Sequence, residues 1–153
     1  MATLVTTVLG GNSIRAASSA MACAIKTNYN LYIDGGAIGI YAPNKVTLSG
    51  TSSAVGVTGI YANYIETSAS MGLEVSGNAI QSASKVYISG GTLDIQVIKD
   101  DTYGVEAKEI SISGGTVNIG GGSDRGYAYS MHATDKITIS GGSINVDFGN
   151  KSF

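Results

Sequence analysis

The sequence predicts an all-β fold, a right-handed parallel β-helix (β-solenoid) of about six three-strand rungs. The first observation behind this is an internal repeat. Val86-Tyr87-Ile88-Ser89-Gly90-Gly91-Thr92-Leu93-Asp94-Ile95, Ile110-Ser111-Ile112-Ser113-Gly114-Gly115-Thr116-Val117-Asn118-Ile119 and Ile137-Thr138-Ile139-Ser140-Gly141-Gly142-Ser143-Ile144-Asn145-Val146 share one template. Each copy is an alternating strand, a Ser-Gly-Gly corner and a second alternating strand. The second observation is spacing. Short segments, Gly39-Ile40-Tyr41-Ala42, Gly59-Ile60-Tyr61-Ala62, Ala79-Ile80-Gln81-Ser82, Gly104-Val105-Glu106-Ala107 and Ser130-Met131-His132-Ala133, read as a third strand of each rung, and their lead apolar residues lie 20, 20, 25 and 26 positions apart. The third is composition: 22 Gly, one Pro, two Phe and no Trp suit thin layers of small, β-branched side chains. An antiparallel sandwich is the main rival, but its hairpins do not demand the same inward residue at one rung position after another.

Taken in order, residues 1–24 read as a partial rung or end cap, with Val5, Val8, Leu9 and Ile14 as apolar contacts. Residues 25–148 carry the repeats, of which Leu31-Tyr32-Ile33-Asp34-Gly35-Gly36 and Val46-Thr47-Leu48-Ser49-Gly50 are weaker copies. The register is poorest before residue 40. Ile25 through Ile40 matches Ile80 through Ile95, yet Ile40 also opens the next copy, so one coil there is expected to be shortened or irregular. Period-two alternation places Ile88, Leu93, Ile95, Val105, Ala107, Ile110, Ile112, Val117, Ile119, Ala133, Ile137, Ile139, Ile144 and Val146 inside. It sends Tyr87, Asp94, Glu106, Ser111, Asn118, His132, Thr138 and Asn145 outward. The tail, 149–153, carries no amphipathic helix, so the last coil is expected to be open or covered by something external, and an open coil is a sticky edge. The whole reads as one domain, 1–153, and as a segment of a longer chain.

Charge removes some function classes. Net charge is −2 with 13% charged residues, and Lys45, Lys85, Lys108 and Lys136 fall in separate repeats, so no nucleic-acid footprint is expected. Cys23 is the one cysteine, which excludes an internal disulfide and leaves it to pack as a small hydrophobe. The amino terminus, interrupted by Gly10, Gly11, Asn12 and Arg15, does not read as a signal peptide, and no run of apolar residues is long enough to span a membrane as a helix.

Outward residues on successive coils form columns, and one reads Tyr41, Tyr61, Gln81, Glu106, His132. Tyrosine faces can stack on sugar rings while hydroxyls and neighbouring polar groups take hydrogen bonds; the plainer alternative is a stabilising ladder of strand residues. A second column, Tyr32, Thr47, Glu66, Tyr87, Ser111, Thr138, is more mixed, and Tyr103 and Tyr129 are expected to brace the long turns. Calcium needs six to eight oxygens, which Asp100, Asp101, Glu106, Asp124 and loop carbonyls could partly supply. The same Asp residues equally suit turn initiation. Catalysis is not expected. Glu106 and His132 form the one outward acid and imidazole pair, with Arg125 in the nearby loop, and no Ser or Cys nucleophile pairs with that His. Gly120-Gly121-Gly122-Ser123 lacks the lysine and the following helix of a phosphate loop.

At the Ile-Ser-Gly-Gly-Thr-(Leu/Val)-(Asp/Asn)-Ile motifs, the chain resembles the bacterial carbohydrate-binding-domain-containing β-helix proteins, which are similar in fold to pectate lyases. The likeness covers residues 25–148 and is strongest from 78 onward. It implies extracellular or cell-surface binding of acidic plant or cell-wall polysaccharide, with calcium at acidic turns. Asp100-Asp101-Thr102-Tyr103-Gly104-Val105-Glu106-Ala107 looks like the family's acidic pair before Gly-Ile-x-Ala, but with Thr102 and Tyr103 inserted. Gly122-Ser123-Asp124-Arg125-Gly126 keeps one acid, and Val57-Thr58-Gly59 and Ser76-Gly77-Asn78 keep none. That departure leaves room for one or two calcium sites. The expected ligand-binding set is therefore Tyr41, Tyr61, Gln81, Glu106, Arg125 and His132, with Asp100, Asp101 and Asp124 for the metal. Two rivals stand beside polysaccharide binding: a structural stalk, adhesin or filament segment whose ends stack on further coils, and a divergent polysaccharide lyase using Arg125.

Overall fold

A computed structural model of the chain describes residues 3–7, 22–47, 54–98, 101–121 and 128–148. Among these, all regular elements are β-strands, and no helix is long and apolar enough to cross a membrane. Strand β1 (Thr3–Thr7) edges a first sheet. The chain then enters a second sheet through β2 (Ala22–Lys26) and β3 (Asn30–Ile33) and returns to the first through β4 (Ala37–Ala42). A small antiparallel ribbon follows, β5 (Val46–Thr47) against β6 (Ala54–Val55). Four coils then alternate between the sheets: β7 (Val57–Thr67) and β8 (Ser70–Val75), β9 (Ile80–Ile88) and β10 (Thr92–Val97), β11 (Thr102–Ile112) and β12 (Thr116–Gly121), β13 (Ala128–Ile139) and β14 (Ser143–Asp147).

The first sheet runs β1-β4-β8-β10-β12-β14 and the second β13-β11-β9-β7-β2, with β3 also on β7. All pairings within these two sheets are parallel. Stacked parallel sheets of this kind are compatible with a β-solenoid. The alternation of the sequence explains the core, because inward residues of successive coils sit directly over one another. Ile25, Ile60, Ile80, Val105 and Met131 form one such column; Ile38, Met71, Leu93, Val117 and Ile144 form its counterpart across the interior. Among the described residues the buried polar side chains are Thr58, Thr67, Ser76, Ser82 and Thr102, and two of them show how such groups are satisfied. The Thr67 hydroxyl accepts the Ala69 N–H at 3.1 Å, and Ser82 donates to the Asn63 carbonyl at 2.8 Å.

Three expectations change. The two strands foreseen before each Ser-Gly-Gly corner are continuous in β7, β9, β11 and β13, with a register shift near Ala62/Tyr64 and Ala107/Glu109 marking the joint. Among the described residues they remain separate, as β2 and β3, in the first coil. Gly39-Ile40-Tyr41-Ala42 is not a lead strand: Ile40 pairs with Leu73 in the first sheet, whereas Ile60 pairs with Ile25 and Ile80 in the second. The match of Ile25–Ile40 to Ile80–Ile95 is the true register, and the irregular coil expected in this region is a lengthened one. Instead Val46-Thr47, taken for a coil copy, begins the ribbon that lengthens the step from Ile25 to Ile60; residues 48–50 lie outside the described residues. Ser76 ties the ribbon down, accepting the Val57 N–H at 3.0 Å and donating to the Asn44 carbonyl at 3.0 Å.

The far end agrees with the expectation of a last coil left open or covered from outside. Ile110, Ile112 and Ile119 are at most 1% exposed, but their counterparts one coil later, Ile137, Ile139 and Val146, are 43%, 56% and 49% exposed. Ala133 and Ile144 are half-buried. The inward pattern of the last coil persists, yet nothing among the described residues covers it.

Candidate functional site

Burial of Ile60, Ile80 and Val105 forces their strand neighbours Tyr61, Gln81 and Glu106 to the outer face of the second sheet. Register aligns them into one column, Lys26, Tyr61, Gln81, Glu106, His132. Four of the expected ligand residues are thus brought together. Tyr41 is not: it lies in the first sheet beside Glu74, because Ile40 belongs to that sheet's inward set. Arg125 lies outside the described residues.

Within the column, Glu106 is held rather than free. Its Oε2 accepts from Asn78 Nδ2 at 2.6 Å and from Gln81 Nε2 at 2.8 Å, while Oε1 stands 3.9 Å from His132 Nδ1, beyond hydrogen-bond reach. The Asn78 side-chain oxygen accepts the Tyr103 N–H at 3.0 Å, so one amide joins the carboxylate to the start of β11. The His132 ring stacks on Tyr103 at 4.8 Å, and Tyr103 stacks on Tyr129 at 5.0 Å. These tyrosines build a three-ring stack with His132 beside the carboxylate; the long turns they are expected to brace include 99–100 and 122–127, which lie outside the described residues. Gln81 Oε1 and His132 Nδ1 are buried atoms without a hydrogen-bond partner.

A shallow depression of about 210 Å³ is lined by Tyr61, Gln81, Ser82, Glu106, Lys108 and Thr134, among others. The ammonium of Lys26 lies 5.8 Å from the Tyr61 ring centre. A second depression, about 350 Å³, shares Gln81 and includes Asn78, Lys45 and Asp101. Both are near or below the size that encloses a whole small molecule; open troughs of this kind suit contact with one unit of a longer polymer.

The second column holds in register as Tyr32, Glu66, Tyr87, Ser111, Thr138. Thr47 is the exception, since it sits in the ribbon. Tyr32 packs obliquely on Tyr64 at 5.9 Å, and the Tyr64 hydroxyl donates to Glu66 at 2.9 Å. Burial first, and then that bond to Glu66, push the Tyr64 phenol up to about 12, so it remains a donor at neutral pH. Tyr29 and Tyr32 are 81% and 62% exposed.

The proposed metal ligands are not assembled among the described residues, where no group of three or more His, Cys, Asp or Glu could hold an ion. Asp100 and Asp124 fall outside them. Asp101 is exposed and has φ 56°, a left-handed conformation that Asp tolerates better than most residues, which is turn geometry. Cys23 is half-buried rather than in the core, and burial pushes its thiol up, with Lys26 pulling it partly back. A protonated thiol is a poor nucleophile.

Sequence reasoning missed Asn78 and the outward placement of Tyr103. The cause of the second is Gly104. Thr102 and Val105 are both buried, so alternation slips by one residue between them. A Cβ at Gly104 would meet the Ser130 carbonyl at 2.6 Å and the Ile119 side chain at 3.0 Å, so the slip needs glycine. The available signal was positional: Asn78, Tyr103 and Tyr129 each stand two residues before a lead apolar residue. A polar ladder was also overlooked on the first sheet, where Asn145 donates to Asn118 at 2.8 Å and Asn118 to Asp94 at 2.6 Å. No family model matches the chain, and no curated protein or solved structure matches it.

Proposed function

We propose that this chain is a non-catalytic polysaccharide-binding module, built as a right-handed parallel β-helix and acting outside the cell or at its surface. The supporting observation is that Tyr61, Gln81 and Glu106 share one register column and line one depression. Tyr61 supplies apolar ring area at the side of the trough, and the amide and carboxylate supply hydrogen-bonding groups already fixed in place. Fixed groups lose little freedom on binding. The aromatic stack of Tyr103, Tyr129 and His132 keeps this end of the face rigid.

Affinity electrophoresis through gels containing plant and bacterial polysaccharides tests the reading. Tyr61→Ala and Gln81→Ala are each expected to weaken retention at least tenfold, about 1.4 kcal/mol. Tyr41→Ala, on the other sheet, is expected to leave it unchanged. Unaltered retention in both column variants would sink the proposal.

The exposed Ile137, Ile139 and Val146 favour a second reading, a structural segment whose last coil stacks on a further coil. In that case sedimentation shows end-to-end multimers that grow with concentration and are dispersed by Ile139→Lys. A monomer at all concentrations removes this reading.

A further inference from the structure

The polar atoms of the Tyr61 depression carry more information than their number. A carboxylate and an amide oxygen can only accept hydrogen bonds. Glu106 has one oxygen occupied by two amide donors, leaving Oε1 without a donor within bonding distance. Gln81 Oε1 has none either, but it is buried, so the acceptor that faces a ligand is Glu106 Oε1. Lys108 is the cation that lines the trough, and the Lys26 ammonium stands over the Tyr61 ring, 5.8 Å from its centre. Hydroxyl groups suit such a surface, because a hydroxyl donates to Glu106 Oε1 and accepts from Lys108 or Thr134. A ligand carboxylate cannot donate, and it would bring a second negative charge beside a carboxylate whose other oxygen is already bonded to Asn78 and Gln81.

We propose that the depression recognises a neutral sugar unit through its hydroxyls, with the ring edge against Tyr61, and discriminates against uronates. The inference rests on the polysaccharide-binding reading and reverses the expectation of an acidic polymer that the resemblance raised. Glu106 is both the acceptor for the sugar and the charge that turns uronates away.

The test compares polymers matched except for the carboxylate: galactan against polygalacturonate, and a β-glucan against polyglucuronate, by titration calorimetry with a chelator present. The wild-type protein is expected to prefer the neutral member of a pair by about tenfold or more, with little change as salt rises, since exposed charge pairs are screened and hydroxyl contacts are not. Glu106→Gln is expected to weaken neutral binding about fivefold while improving uronate binding, a change of opposite sign for the two polymers. Lys108→Ala should change neutral affinity by less than about threefold, as loss of one exposed contact does. Tighter binding of the polyuronate by the wild type, weakened by salt and by Lys108→Ala or Arg125→Ala, overturns the inference while the polysaccharide-binding reading stands. Absence of binding to every polymer brings down both. If Glu106→Gln fails to fold, the wild-type preference and its salt response decide alone.

Discussion

Gly91→Ala is expected to destabilise the fold by roughly 3 kcal/mol or more, lowering the melting temperature by about 6–12 °C for a chain of this size. Two separate penalties meet at this corner. Gly91 has φ 72°, where an L side chain costs about 1–2 kcal/mol. Its added Cβ would also collide with the backbone carbonyl of Ala69 in the preceding coil, and backbone cannot swing aside as a flexible side chain can. Two controls separate the terms. Gly35 has φ 64° but nothing within 4 Å of an added Cβ, so Gly35→Ala should show only the conformational cost, about 1–2 kcal/mol. Gly72 lacks both problems, and Gly72→Ala should be neutral or stabilise by up to about 1 kcal/mol through the unfolded chain. Thermal melts followed by circular dichroism rank the three. Equal losses at Gly91 and Gly35 would mean that close coil stacking is not what selects glycine at the Ser-Gly-Gly corners.

Those corners show why much of the architecture was readable in advance. The Ser-Gly-Gly repeat ties a backbone requirement to a fixed position in each coil, and Gly91, Gly115 and Gly142 all take positive φ, 72°, 82° and 84°. Aliphatic alternation on either side then places the interior without further information. Register failed where the repeat is locally ambiguous: Gly39-Ile40-Tyr41-Ala42 and Gly59-Ile60-Tyr61-Ala62 are the same string, yet one lies in each sheet. Only pairing between coils separates them, and that is long-range. The outward column was legible from Tyr61 to His132, because period two is local. Its supporting partners were not. Asn78 reaches Glu106 across 28 residues, and Tyr103 emerges only because alternation slips at Gly104. Side chains that hold a site from the next coil leave no mark on the pattern of the strand that bears it.

Ile112→Ala is expected to cost about 2–5 kcal/mol, and Ile139→Ala less than about 1 kcal/mol, although the two residues are register partners in the same inward column. The difference follows from what lies on either side. Ile112 is fully buried between Ile88 and Ile139, so truncation opens a cavity that neighbouring coils, held by parallel ladders, cannot collapse into. Ile139 has Ile112 beneath it and is 56% exposed, so the alanine variant loses contact on one side only. In a stack where each coil touches only its neighbours, stability is a sum of coil terms and interface terms, and Ile112 takes part in two interfaces where Ile139 takes part in one. Denaturant unfolding of the two variants measures this directly. Should Ile139→Ala prove as costly as Ile112→Ala, the last coil must be covered in solution, and the concentration dependence of that loss would tell a covering copy of this chain from a covering segment within it.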